Sequence, residues 1–417
     1  LPTAGDLRII GNMTARDFTK IQPRVGLAWA LRNNRSVVRA NFGIYTGSFE
    51  YSSMVNNWHG ASPFTSMNQP LLPQFANPDK DLVGFAPEGM VGAVGPVAAG
   101  AAFRKFAGTG AYPAPGSLKQ FPLGFMSRKF PKLYSEKASL EIDNDLGNKW
   151  HATLNYTYIH SIHLNSSSSV NGLPNGFLSD GREKFTASDP NFGFVLFDTA
   201  SGWSIYNAGS ASLRRDLANH FSFTAAYTYG KSIDVATEGQ LQDEPQDYLH
   251  PQLDRAVGDN DVRHRLVLTQ TAESPSNWPA PLRNIGLSML HTLQSGQYYN
   301  ILAGSDINGD SFPFNDRVGA VARNTYRGAS YYDTDLRLLR TFHISDRVHI
   351  EARAEALNLL NRVNVQDVDQ VYGTGEFTGS IPQHYGDGVT SSANPTFGTP
   401  TFAGSARQFQ FSFKLAF

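Results

Sequence analysis

Cysteine is absent from the 417 residues of this chain. Disulfide bridges, thiolate metal centres and a cysteine nucleophile are excluded with it. Charge is also scarce. Asp, Glu, Lys and Arg make up 17% of the residues, against about a quarter in an average soluble domain, and they nearly cancel to a net −1. No basic run marks a nucleic-acid partner. No apolar run reaches the ~18 residues that a membrane-spanning helix needs. The opening segment LPTAGDLRIIGN has no initiator Met and neither segment of a secretory signal, so the chain reads as a mature product or an excised piece. Catalytic signatures are missing as well: there is no G-x-S-x-G, H-E-x-x-H or Walker A pattern. Ser210, in YNAGSASL, reads as a mid-strand residue and not as a nucleophile on a strand-to-helix elbow.

What the chain does have is aromatic residues, at 12%, and a strict alternation of apolar and polar side chains. The alternation comes in pairs of segments: 19–31 with 36–47, 133–145 with 149–161, 203–216 with 219–232, 260–273 with 283–299, and 331–343 with 347–359. In 149–161 the apolar set is Trp150, Ala152, Leu154, Tyr156 and Tyr158, and His151, Thr153, Asn155 and Thr157 stand between them. A period of two places the two sets on opposite faces of a strand. The segment 406–417 is unpaired and ends QFQFSFKLAF, with Phe409, Phe411, Phe413, Leu415 and Phe417 on one face.

Several of these strands have ten or more residues, as a tilted bilayer-spanning strand requires, whereas soluble strands average about 5–6. Within each pair the link is short, such as RNNR or LGN. Between pairs it is long: 48–132, 162–202, 233–259, 300–330 and 360–405. Long and short links in regular alternation are the pattern of an outer-membrane barrel with periplasmic turns and extracellular loops. The expected fold is therefore all-β: an antiparallel up-and-down transmembrane β-barrel forming a single domain over residues 1–417. It has eleven strands, or twelve if 7–15 forms one, and 48–132 is a long extracellular loop. The apolar faces would meet lipid and the polar faces the lumen, with Tyr156, Tyr158, Tyr227 and Tyr229 in an outer aromatic girdle.

Several stretches, taken in order, resemble TonB-dependent outer-membrane receptors of the Oar-like, carboxypeptidase-regulatory-domain type. They are PRVGLAWALRNNRSVVRANFGIYTG, SGWSIYNAGSASLRRDLANHFSFTAAYTYGKSID, DVRHRLVLTQTAESP, NGDSFPFNDRVGAVARNTYRG, DTDLRLLRTFHISDRVHIEARAEALNLLNRVN and the closing FGTPTFAGSARQFQFSFKLAF. The resemblance implies the C-terminal part of a 22-stranded barrel that imports a scarce solute, energised by TonB through a plug absent from this chain. It also implies that the last strand, with Phe417, is the signal read by the barrel-assembly machinery. An open sheet in lipid leaves unpaired backbone at both edges. Either a missing half belongs to the parent protein, or the strands curl into a smaller closed barrel. A passive barrel or adhesin, and a soluble β-rich polymer hydrolase, are the alternative functions.

The candidate binding residues are few. Tyr51, Trp58, Phe64 and Tyr112, in the long loop, offer aromatic contact area to a solute. Asp306, Asn308 and Asp310 follow the first three ligand positions of a calcium loop, but Arg317 stands where the bidentate Glu belongs. Calcium is thus the one cofactor considered, with a polar turn as the simpler reading. His160 and His163 in HSIH read as loop histidines rather than metal ligands, since no third ligand is near in sequence.

Overall fold

The computed structural model describes residues 21–31, 35–47, 96–107, 123–126, 131–188, 195–235, 245–345, 348–373, 384–385 and 394–417. Eleven long strands form one antiparallel meander: β1 (Arg24–Leu31), β2 (Ser36–Thr46), β3 (Tyr134–Gly147), β4 (Trp150–Ser169), β5 (Val195–Ala218), β6 (Phe221–Asp234), β7 (His264–Glu273), β8 (Ile285–Gln294), β9 (Tyr331–His343), β10 (His349–Leu357) and β11 (Gln408–Ala416). Every strand pairs with its neighbour in sequence. The eleven strands are those the alternation marks, with edges moved by a few residues. The exceptions are β4 and β5, which continue outward as a long hairpin beyond their neighbours. Segment 7–15, the possible twelfth strand, lies outside the described residues.

The inner turns explain the tight connections. Asn219 and His220 both have positive φ, 50° and 64°, and join β5 to β6 as a two-residue turn whose twist suits a right-twisted hairpin. Asn148 and Lys149, at 52° and 65°, do the same between β3 and β4.

Register aligns the faces across the whole sheet. One continuous row runs Trp29, Val38, Ile142, Leu154, Ala211, Tyr227, Leu266, Leu293 and Tyr332. At the far edge Ile350, Ala352, Ala354 and Ala356 sit opposite Leu415, Phe413, Phe411 and Phe409. This face has no protein cover: Trp29 is 63% exposed and Phe413 78%. An uncovered apolar wall of this extent is stable only against lipid. The opposite face is polar and internally bonded. Arg39 pairs with Glu141 at 3.0 Å and with Asp143; Thr153 Oγ1 donates to Asp143 at 2.7 Å; Arg337 pairs with Glu355 at 2.5 Å. It lines the lumen. Among the described residues β1 pairs only with β2 and β11 only with β10, so the sheet has two open edges.

Within the expected loop 48–132 the structure places a helix, α1 (Pro96–Ala107), and a short strand, Leu123–Met126, parallel to the outer part of β5. The helix follows from its composition. PVAAGAAFRKFA is rich in Ala, has Pro in its first turn, and carries Arg104 and Lys105 in its last turn, where the helix dipole favours positive charge.

Candidate functional site

The buried core of this protein lies outside the barrel wall, in the outer loops. Ile301, Ala303, Val318, Tyr326, Val368, Tyr372 and Phe397 pack together from the segments after β8 and after β10. Tyr326 and Tyr372 each meet the Phe397 ring edge-on, at 5.4 and 5.2 Å. Short ladders, Tyr298–Tyr299 with Tyr326–Arg327 and Val365–Val368 with Pro400–Ala403, hold these segments in register. The outer loops thus form a packed lobe.

Buried charge ties the lobe to the strands. The Arg323 side chain is fully buried. It is ion-paired with Asp234 at the outer end of β6, lies 3.7 Å from Asp259, and donates to the Asp254 carbonyl at 3.1 Å. Arg317 is paired with Asp254, and its Nε donates to the Val321 carbonyl at 3.0 Å. Segments far apart in sequence are therefore clamped by two guanidinium groups, whose planar forks satisfy several acceptors at once.

A third set of bonds closes the segment at Asp306. Asp306 accepts from the amides of Gly309 and Ser311, at 2.6 and 2.9 Å. Asn308 Oδ1 accepts from the Asp310 amide at 2.9 Å, and Asp310 from the Phe312 amide at 2.8 Å. Asp316 accepts from the amides of Ile307 and Asn308 and from Gln246 Nε2. Burial, reinforced by the nearby Asp316 charge, pushes the Asp310 carboxyl well above the usual carboxylate range. Asp306, Asn308 and Asp310 thus form a turn closed by hydrogen bonds, and no three metal-ligating His, Asp or Glu side chains converge among the described residues. His160 and His163 are likewise occupied separately: His160 faces Glu136 at 3.6 Å, and His163 contacts the Lys132 carbonyl at 3.1 Å and the Tyr134 ring.

Inside this frame lies a cavity of about 280 Å³. Tyr298, Tyr299, Asn324, Asp259, Asp367 and Gln370 are among its lining residues. Tyr299 donates to the Gln366 carbonyl at 2.7 Å, and burial pushes its hydroxyl up to about 12, so it stays a donor. Asn324 Nδ2 donates to Asp259 at 2.5 Å. The arrangement offers the Asp367 carboxylate, amide groups and two aromatic faces, with Asp259 already facing Arg323, which suits a polar small solute better than an apolar one. Sequence reasoning missed these residues: they come from three loops and share no local pattern. Its own candidates, Tyr51, Trp58, Phe64 and Tyr112, lie outside the described residues. Phe409, Phe411, Phe413 and Leu415 do share one face of β11, and Phe417 beyond it is 95% exposed.

Solved structures similar to this chain include the outer membrane transporter YddB from Escherichia coli (11% identity, TM-score 0.46, covering 92% of this chain and 39% of that one). They also include the ferric enterobactin receptor PfeA from Pseudomonas aeruginosa (14%, 0.48, 95% and 40%) and the ferripyoverdine receptor of Pseudomonas aeruginosa (10%, 0.45, 95% and 32%). The chain therefore spans two fifths or less of the length of these structures. No curated protein matches it. A family model, the outer membrane beta barrel domain, matches residues 2–317 and 308–410. With its uncovered apolar wall and its polar inner face, this chain belongs to the outer membrane beta-barrel domain family and resides in the bacterial outer membrane.

Proposed function

We propose that this chain is the barrel portion of a TonB-dependent receptor of the Oar-like type, which captures a scarce polar solute at the outer lobe and passes it into the lumen. The observation that carries this reading is the lobe itself. Its loops are packed around a polar cavity and clamped to the strands by buried arginines, as a binding head must be to hold a ligand in fixed geometry. The aromatic residues Tyr51, Trp58, Phe64 and Tyr112 belong to the same proposal as further solute contacts. No bond chemistry is assigned: binding and energised gating suffice. TonB, acting through a plug, and the barrel-assembly machinery, acting on Phe417, are the proposed partners.

For Asp306, Asn308 and Asp310 the proposal is a calcium-responsive turn, since a divalent cation would relieve the repulsion between Asp310 and Asp316. Calorimetric titration of calcium into the full-length protein tests it, and an absence of heat leaves the turn closed by amides alone.

The functional test is uptake. Cells carrying the full-length gene should accumulate one solute among ferric siderophores, cobalamin, oligosaccharides and peptides. Accumulation should stop when TonB is deleted. Uptake that persists without TonB would leave a passive barrel, and cell attachment without uptake an adhesin.

A further inference from the structure

A second cavity, of about 420 Å³, opens at the outer rim of the sheet. Arg327, Arg362 and His384 line it together with Tyr385, Val363 and Val365, and none of the described lining residues is acidic. Among the described residues neither arginine has a carboxylate partner. Uncompensated guanidinium groups gathered around one cavity are a recognition site for an anion, and their planar fork matches phosphate bidentately.

The side of the wall on which Arg362 stands identifies the source of that anion. Tyr332 is the outermost residue on the lipid-facing side of β9, directly opposite Leu293. The Arg362 guanidinium lies over the Tyr332 ring, 5.9 Å from its centroid, and donates to the Ser330 carbonyl. Arg407 repeats the arrangement over Phe409, the outermost lipid-facing residue of β11, at 5.5 Å. Val363, beside Arg362, is 70% exposed. Basic groups set on an aromatic belt at the edge of an apolar wall stand at the height of lipid headgroups. The inner rim differs. There Arg340 lies over Phe342 at 4.7 Å and donates to the Ala280 carbonyl, with no part in this cavity.

We propose that this rim cavity binds the phosphate of an outer-leaflet lipid, held by Arg327 and Arg362, with the lipid chains continuing down the wall past Tyr332 and Leu336. The site is independent of whatever the lobe captures. It would anchor the segment after β10 to the membrane surface.

Native mass spectrometry of the full-length protein, released from phosphatidylcholine nanodiscs doped with bisphosphorylated lipid A, tests this. Wild-type protein should retain lipid A. The Arg327→Gln/Arg362→Gln double variant should retain about tenfold less, the loss of about one to two charge-assisted bonds. Arg340→Gln should behave as wild type. Equal retention by the double variant would overturn the proposal. Wild-type protein also serves without any variant: lipid A stripped of its phosphates should not be retained, and equal retention of the stripped lipid refutes the site even if the double variant fails to fold. Inorganic phosphate alone should not displace the lipid, and displacement by it would make this a free-anion site and not a lipid site.

Discussion

Arg323 and Asp198 are two residues at which burial and charge conflict. The Arg323 side chain is fully buried, and its charge is balanced by Asp234 and Asp259. Replacing it with Leu leaves two carboxylates without their cation in a dry site, which costs about 3–5 kcal/mol. We expect Arg323→Leu to lose amide-exchange protection in residues 297–330 and 365–372 while the barrel keeps its heat-shifted electrophoretic mobility. Retained protection in these segments would mean that the clamp is dispensable. Asp198 lies on the part of β5 that projects beyond β6, paired with the outer end of β4 and outside the spanning strands. Its Oδ1 accepts from Ser167, and among the described residues its Oδ2 has no hydrogen-bond partner. Burial raises its carboxyl from 3.8 to about 7. Between these values the unfolded chain is ionised while the folded one keeps its proton, so stability falls as pH rises through that window and is level above it. Amide exchange of residues 195–202 should therefore quicken from pH 5 to pH 7.5, and Asp198→Asn should flatten that trend relative to wild type.

At the scale of the strand, the two faces have opposite solvents. The absence of cysteine makes this directly measurable. On β4, Asn155 is on the face with Glu141, and Leu154 is on the face with Ile142 and Ala211. In the full-length protein Asn155→Cys should react with a water-soluble maleimide in intact outer membranes, and Leu154→Cys should stay unlabelled until detergent is added. Equal labelling would abolish the assignment of lumen and lipid. On β11 the lipid face is Phe409, Phe411, Phe413 and Leu415, with Phe417 beyond the strand. Replacing Phe417 with Asp should lower the amount of protein in the outer membrane several-fold, read by immunoblot of membrane fractions. An unchanged level would remove Phe417 from assembly.

The whole molecule has two stabilising systems of different kinds. The wall is held by ladders of backbone hydrogen bonds that lipid makes expensive to open. The lobe is held by a small apolar cluster and a few buried ion pairs, and is bathed in water. Local stabilities should differ accordingly. In detergent, urea should remove exchange protection from residues 300–330 first and from β4 to β9 only at higher concentration. A single concerted transition would show that lobe and wall form one cooperative unit.

The division between sequence and tertiary structure follows from the range of the interactions. Alternation at period two is a local signal, and in a membrane it is enforced at every strand because each residue faces either lipid or lumen. The eleven strands, their direction, the tight inner turns and the shared face of Phe409, Phe411, Phe413 and Leu415 were all legible for that reason. The alternation also marked Tyr227 and Tyr229 as lipid-facing, and the register bears that out. Helix α1 is equally local, yet its Ala and Gly mixed with Pro read as loop in the sequence. The lobe was not legible at all. Arg323 reaches Asp234 across 89 positions, and Gln370 meets Asn300 across 70. No periodic pattern marks residues whose partners lie that far along the chain. Only the folded chain brings Tyr299, Asn324 and Asp367 to one cavity, and Arg327, Arg362 and His384 to another.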